Sequence, residues 1–210
     1  MGAWTEHVVP RMADRALRSH EIGELRRQAC APLRGDLVEI GFGSGLNVRW
    51  YPPSVSTVAA VEPSDVGWGL SAARRERTDV PVRRRGLDGQ RLDEREASYD
   101  AALVTFSLCT IPDPVLALTE LRRVLRTGGI LCVLEHGLSP DPPVARWQHR
   151  LDPVQRRAAG GCHLSRDVTA LVEGAGFAVD HLETFYLDGP ALARPWGYTY
   201  LLHAHVPSDG

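Results

Sequence analysis

The run Asp36-Leu37-Val38-Glu39-Ile40-Gly41-Phe42-Gly43-Ser44-Gly45-Leu46-Asn47 constrains the fold more than any other stretch. It opens as a short apolar segment with an acid inside it, then carries glycine at every second position. Asp36 to Ile40 predicts a buried strand. Gly41, Gly43 and Gly45 then predict a sharp turn at which the backbone approaches a ligand with no Cβ in the way. Leu46 to Tyr51 is expected to form a short helix whose first amides point back at that ligand.

A glycine loop after a strand suggests a nucleotide, and the details select which kind. The dinucleotide fingerprint is G-x-G-x-x-G with an acid further on for the ribose. This loop reads G-x-G-x-G, with Glu39 before it. A second acid, Glu62, closes the next apolar run, Val58-Ala59-Ala60-Val61, where it suits a ribose diol at the end of a second parallel strand. An acid ahead of the loop suits a ligand with a positive amino group, which a pyrophosphate lacks.

Glu39, Gly41, Gly43, Gly45 and Glu62 together resemble the S-adenosylmethionine (SAM) site of class I methyltransferases. The resemblance implies a Rossmann-like α/β fold, with a doubly wound, mostly parallel seven-stranded sheet and a final antiparallel strand. It implies SAM as cofactor and S-adenosylhomocysteine as product. Carried over position by position, it adds Asn47, Pro63, Leu87, Asp88, Thr105, Phe106 and Ser107 to the cofactor site, with Asp88 toward the adenine amino group. Asp88 also reads as a turn aspartate before Gly89.

The remaining chain reads as alternating helices and strands, which argues for the same sheet. Met12 to Ala31 is expected as a helix that Gly23 divides and that Pro32 and Gly35 end. Residues 1–35 then form a helical lid segment or a helix on the sheet edge, the lid placing Trp4 and His7 near the transferred methyl group. Residues 36–206 form the catalytic domain. Strands are expected at 55–61, 81–85, 99–104, 130–134, 177–184 and 198–205. A helix is expected over 66–77, and another is capped by Asp113 with Leu116, Leu121, Val124 and Leu125 on its buried face. Asp152-Pro153 is expected to start a helical segment, and Ser165 to cap a helix through Ala175. The tail 207–210 is expected to fray.

Charge and cysteine usage exclude several classes. The formal charge is −2, and all 24 basic residues are arginine, so no basic field recruits nucleic acid. Arg83-Arg84-Arg85 reads as a solvated edge. Cys30, Cys109, Cys132 and Cys162 lack C-x-x-C spacing, so neither a metal site nor a disulfide framework is expected, and a cytoplasmic chain with reduced thiols is. No signal pattern or membrane-length apolar run is present.

Three further runs narrow the resemblance, which covers roughly residues 36–206: Phe106-Ser107-Leu108-Cys109-Thr110-Ile111, Glu135-His136-Gly137, and Trp147-Gln148 to Pro153 with Gly161-Cys162-His163-Leu164. They are similar to the branch holding the animal alkyl-thiol methyltransferases and their soluble bacterial relatives. The apolar N-terminal anchor of the animal enzymes has no counterpart, so no membrane span is expected. The expected function is methyl transfer to a small, fairly apolar acceptor, a thiol first. The alternatives are an O-, N- or C-methyltransferase and a SAM-binding protein without turnover. His136, at the end of the fifth strand, is the foremost general-base candidate, and it also reads as a histidine bonded within its loop. Asp152, as orienter or helix cap, and His163 complete the catalytic candidates.

Overall fold

The computed structural model describes residues 4–208. Met1 to Ala3 of the expected lid, and Asp209 and Gly210 of the expected frayed tail, lie outside the described residues. After a π-helical turn at Trp4–Val8 come α1 (Val9–Ala16) and α2 (His20–Cys30). The break falls at residues 17–19, not at Gly23, because the Ser19 hydroxyl accepts from the Ile22 amide and starts a new helix there.

β1 (Gly35–Ile40), β2 (Val55–Val61), β3 (Val82–Gly86), β4 (Tyr99–Thr105), β5 (Leu125–His136), β6 (Ala178–Tyr186) and β7 (Tyr198–His205) form one seven-stranded sheet. Its order is β3-β2-β1-β4-β5-β7-β6, and only β7 runs against its neighbours. The central strands are apolar on both faces because helices cover both: Leu37, Val38, Leu103, Val104, Leu131 and Val133 are all buried. The strand order reverses between β1 and β4, which pair in register from Leu37–Ala101 to Ile40–Val104. The loops leaving their carboxyl ends therefore part over a crevice, where open α/β sheets place ligands.

The helices correct several expectations. Residues 46–51 hold only a 3-10 turn at Val48–Trp50, too short to aim a row of amides. The helix expected over 66–77 is two pieces, α3 (Asp65–Leu70) and α4 (Ala72–Arg75). In α5 (Pro114–Val124) the buried face is Ala117, Leu118, Leu121 and Val124, and Leu116 is exposed. Leu125 leaves the helix and pairs with Tyr99 in β5. α6 (Pro142–Ala158) runs straight through Pro153, so Asp152 starts no segment. α7 (Val168–Gly174) is capped by Asp167, whose carboxylate accepts from the Ala170 amide, not by Ser165. A short α8 (Arg194–Gly197) leads into β7. Among the described residues no helix is long and apolar enough to cross a membrane.

Candidate active site

A cavity of about 720 Å³ opens at the carboxyl ends of β1, β2 and β4. Of the residues named from the sequence, Gly41, Gly43, Glu62, Pro63, Leu87, Asp88, Thr105, Phe106 and Ser107 are on its wall. Glu39, Gly45 and Asn47 are buried behind it, and His136, Asp152 and His163 are not on it. Thr5, Glu6, Val9, Pro10, Ala13, Asp14 and Leu17 close the side facing α1. Trp4 and His7 do not join them; the Trp4 indole donates to the Ala158 carbonyl instead.

The glycines of the loop do different work. Gly41 has φ +71°, and a Cβ there would overlap the Ser107 hydroxyl and lie 2.5 Å from the Ser107 Cβ. It lets the ends of β1 and β4 approach each other. Gly43 has φ +57°, and a Cβ there would meet nothing closer than the Gly41 carbonyl at 3.8 Å. Gly43 therefore keeps backbone bare toward the cavity.

Glu62 ties this loop to the end of β2. One carboxylate oxygen accepts from the Gly43 amide at 2.6 Å and the other from the Ser64 amide at 2.7 Å. Each oxygen keeps a lone pair for a ligand. Burial raises the Glu62 carboxyl above its ordinary range, and the two amide bonds oppose that.

A polar cluster lies beneath the floor, built around a residue the sequence reading missed. Arg26 of α2 donates to Asn47 Oδ1 at 2.6 Å and to Thr105 Oγ1 at 2.8 Å. Its guanidinium lies over the Phe106 ring, 5.4 Å from the centroid, and it reaches the cavity wall. Arg26 Nε is buried and has no protein partner among the described residues. Asn47 Nδ2 donates to Glu39 at 2.9 Å, and the Tyr51 hydroxyl donates to the other Glu39 oxygen. Glu39 thus serves this cluster. Burial pushes its carboxyl up to about 7, against the hydrogen bonds of Tyr51 and Asn47 and the charge of Arg26. The signal for Arg26 was present in the sequence: it shares a helical face with Ile22, Ala29 and Cys30, all buried. A cation on an apolar stripe needs a partner.

The catalytic candidates form two separate groups. His136 Nε2 lies 3.2 Å from Cys162 Sγ, and these atoms and Cys109 Sγ all fall within 4.8 Å of one another. Fully buried Glu135 accepts from the amides of Ser107 at 2.6 Å, Cys109 at 3.3 Å and His136 at 3.0 Å. Hydrogen bonds from Cys109 and His136 pull the Cys162 thiol well below its ordinary value. Spacing along the chain gave no reason to expect such a donor set; the fold assembles it from the loop after β4, the end of β5 and the turn after α6. In the second group, His163 Nδ1 lies 3.0 Å from Asp152 Oδ2, and Asp152 Oδ1 accepts from the Leu164 amide at 2.6 Å. Asp152 pins the 163–164 turn to α6. Gln148, fully buried, does the same for the end of β5, accepting from Ser139 and donating to the Gly137 and Pro195 carbonyls.

Known proteins resemble this chain in sequence and fold. Residues 38–133 match the family model described as "Methyltransferase domain". The chain is 32% identical over 151 residues to thiol S-methyltransferase TMT1B of Rattus norvegicus, an alignment covering 70% of this chain and 62% of the rat protein. In structure it resembles an S-adenosylmethionine dependent methyltransferase from Mesorhizobium loti, with TM-score 0.65, 19% identity and coverage of 89% of this chain and 98% of that one. A geranyl diphosphate methyltransferase, solved with its diphosphate and sinefungin, gives TM-score 0.68 at 15% identity, covering 87% and 76%. Residues 38–133 thus match a methyltransferase domain, and the chain has the Rossmann-like fold of class I SAM-dependent methyltransferases. The cavity fits that cofactor: the backbone is open at Gly43, the Glu62 carboxylate has free lone pairs, and a guanidinium nitrogen of Arg26 is unused.

Proposed function

We propose that this chain methylates a small, fairly apolar thiol, using SAM as the methyl donor. The observation that carries this is the make-up of the acceptor end of the cavity. Val9, Pro10, Ala13, Leu17, Phe106, Ile111 and Pro112 supply apolar wall, and Gly160 and Gly161 complete it. No histidine, tyrosine or cysteine is among the described wall residues; of the two carboxylates beside this patch, Asp14 is bonded to Ser44, Arg18 and Arg74, and Glu6 is exposed to solvent. A hydroxyl acceptor needs a base to ionise it. A thiol does not, because with a pKa near about 8.5 it is already partly thiolate at neutral pH. The thiol S-methyltransferases among the relatives support the same reading.

In this reading SAM, when bound, supplies an electrophilic methyl group on a sulfonium. Glu62 accepts from the ribose hydroxyls, and Leu87 and Asp88 flank the adenine end. Arg26, held by Asn47 and Thr105, takes the carboxylate of the methionine part. The segment from Thr5 to Leu17 acts as a lid that excludes water and presses the acceptor toward the methyl group. His136, Asp152 and His163 then shape the loops behind the wall and take no proton from the acceptor.

Incubating the purified chain with SAM and a panel of small thiols, phenols and amines tests the proposal, with methylated products and S-adenosylhomocysteine followed by mass spectrometry. Thioether products are expected. Methylated phenols or amines beside untouched thiols would overturn the acceptor assignment. Bound SAM with no turnover on any acceptor would overturn the catalytic one.

A further inference from the structure

We propose that Cys109, His136 and Cys162 form a binding site for one soft divalent metal ion of the zinc type. Three observations lead there. The first is convergence: two sulfurs and one imidazole nitrogen, from the loop after β4, the end of β5 and the turn after α6, all lie within 4.8 Å of one another. A tetrahedral zinc ion, with Zn–S roughly 2.3 Å and Zn–N roughly 2.0–2.1 Å, would set such atoms roughly 3.5–3.8 Å apart. The present spacing, including 3.2 Å between His136 Nε2 and Cys162 Sγ, requires only side-chain adjustments to admit the ion.

The second observation is the donor chemistry. Both cysteines are buried and free, and thiolate with imidazole is the ligand set that zinc prefers over magnesium or calcium. Cys30 and Cys132, the other two free cysteines, lie in a different cluster, packed among Leu33, Leu37 and Val58. They provide an internal control.

The third is the support behind the donors. Glu135 accepts from the backbone amides of both Cys109 and His136, which fixes two ligand-bearing segments. The His163 amide donates to the Cys109 carbonyl at 2.8 Å, which fixes the third against the first. Gln155 Nε2 lies 3.6 Å from Cys162 Sγ and can donate to a thiolate. Such outer partners are what orient metal ligands.

Three protein ligands leave a tetrahedral ion one position for water or an added donor. The site lies just behind the cavity. Thr110 and Gly161, neighbours of Cys109 and Cys162, are on the cavity wall. A bound ion would therefore tie the 160–164 turn to the loop after β4 and stiffen the wall they share.

The test is a titration of the reduced 210-residue chain with cobalt(II) and, separately, with zinc against a chromophoric chelator. One equivalent is expected to bind, with a thiolate-to-cobalt charge-transfer band and the visible bands of a tetrahedral site. Cys109→Ser and Cys162→Ser should each weaken zinc binding by more than the about 10- to 100-fold that losing an outer partner costs. Cys30→Ser and Cys132→Ser should leave it unchanged. Cys162→His, which replaces the thiolate by an imidazole that zinc-type ions also accept, should still bind cobalt with a weaker charge-transfer band. Circular dichroism shows whether each variant is folded. A wild-type chain that gives no tetrahedral cobalt spectrum, or a spectrum that survives in folded Cys109→Ser and Cys162→Ser, overturns the proposal.

Discussion

Replacing Glu62 by glutamine separates the two roles the geometry gives it. The side chain keeps its size and loses its charge. Both carboxylate oxygens already accept a backbone amide, from Gly43 at 2.6 Å and Ser64 at 2.7 Å. A glutamine must therefore turn its NH2 group toward one of those N–H groups, and one backbone donor loses its acceptor. Leaving a buried donor unpaired costs about 1–3 kcal/mol, so folding stability should fall by that amount. The ligand-binding role is a separate loss. A charged acceptor for the ribose hydroxyls contributes about 1.5–3 kcal/mol, so SAM affinity should fall roughly 10- to 150-fold. Urea unfolding of the free protein measures the first effect, and calorimetric titration with SAM at a temperature where the variant is folded measures the second. If stability falls while the SAM Kd stays within about twofold, Glu62 braces the glycine loop and holds no ligand, and the ribose assignment fails.

The other expectations are quick to check. Gly43→Ala should cost only about 1–2 kcal/mol of stability, for a left-handed residue, yet abolish measurable SAM binding, because its methyl enters the cavity; Gly41→Ala, which collides with Ser107, should lose the native fold in thermal melts. Arg26→Met should weaken SAM roughly tenfold or more and leave adenosine, which has no carboxylate, bound as before; equal losses for both ligands would refute that assignment. For Glu39 the folded carboxyl titrates at about 7 against an ordinary 4.5. The folded state therefore holds the proton more tightly, and stability is lost as pH rises from 4.5 through about 7. Glu39→Gln stays neutral throughout, so its stability relative to wild type should be greater at about pH 8 than at about pH 5 by roughly 2–3 kcal/mol in denaturant titrations. A pH-independent difference would remove Glu39 from the list of buried, strained acids. Among thiol acceptors, the pH at which kcat/KM levels off should follow the acceptor's own pKa; one fixed inflection for all acceptors would instead reveal a base in the protein.

What the sequence disclosed and what it hid follow from the range of each constraint. The loop from Gly41 to Gly45 was legible because its demand is local: glycine at alternate positions after a buried strand announces positive φ, and all three residues adopt it. Glu62 was legible because it ends the neighbouring parallel strand, a position the sheet brings beside the loop whatever else the chain does. The sheet followed from alternating periodicities. Glu39 was read as an acid inside a buried strand, but its partners Asn47 and Tyr51 were not foreseen. Its position in β1 was evident, but whether it faced ligand or Asn47, Tyr51 and Arg26 depended on α2, which packs from outside the strand-loop unit. The carboxyl end of β5 is a ligand-facing position in general, yet Phe106, Ser107, Thr110, Ile111, Pro112, Gly160 and Gly161 stand on the cavity wall and His136 is not among them.

The residues hidden from the sequence bear on the chemistry as a set. Arg26, Cys109 and Cys162 each find polar or soft partners only after the fold has closed. What they build lies beneath or behind the cavity, leaving its acceptor end apolar. A site of this kind selects its acceptor by ionisation as much as by shape. In the proposed reading an alcohol of the same size would fill the apolar wall equally well, but the described wall offers it no histidine, tyrosine or cysteine as a base, whereas a thiol arrives partly ionised. Discrimination between the two would then reside in the acceptor's own acidity. In the proposed function the protein's part is to exclude water, hold SAM at Glu62 and Arg26, and keep the wall in place from behind.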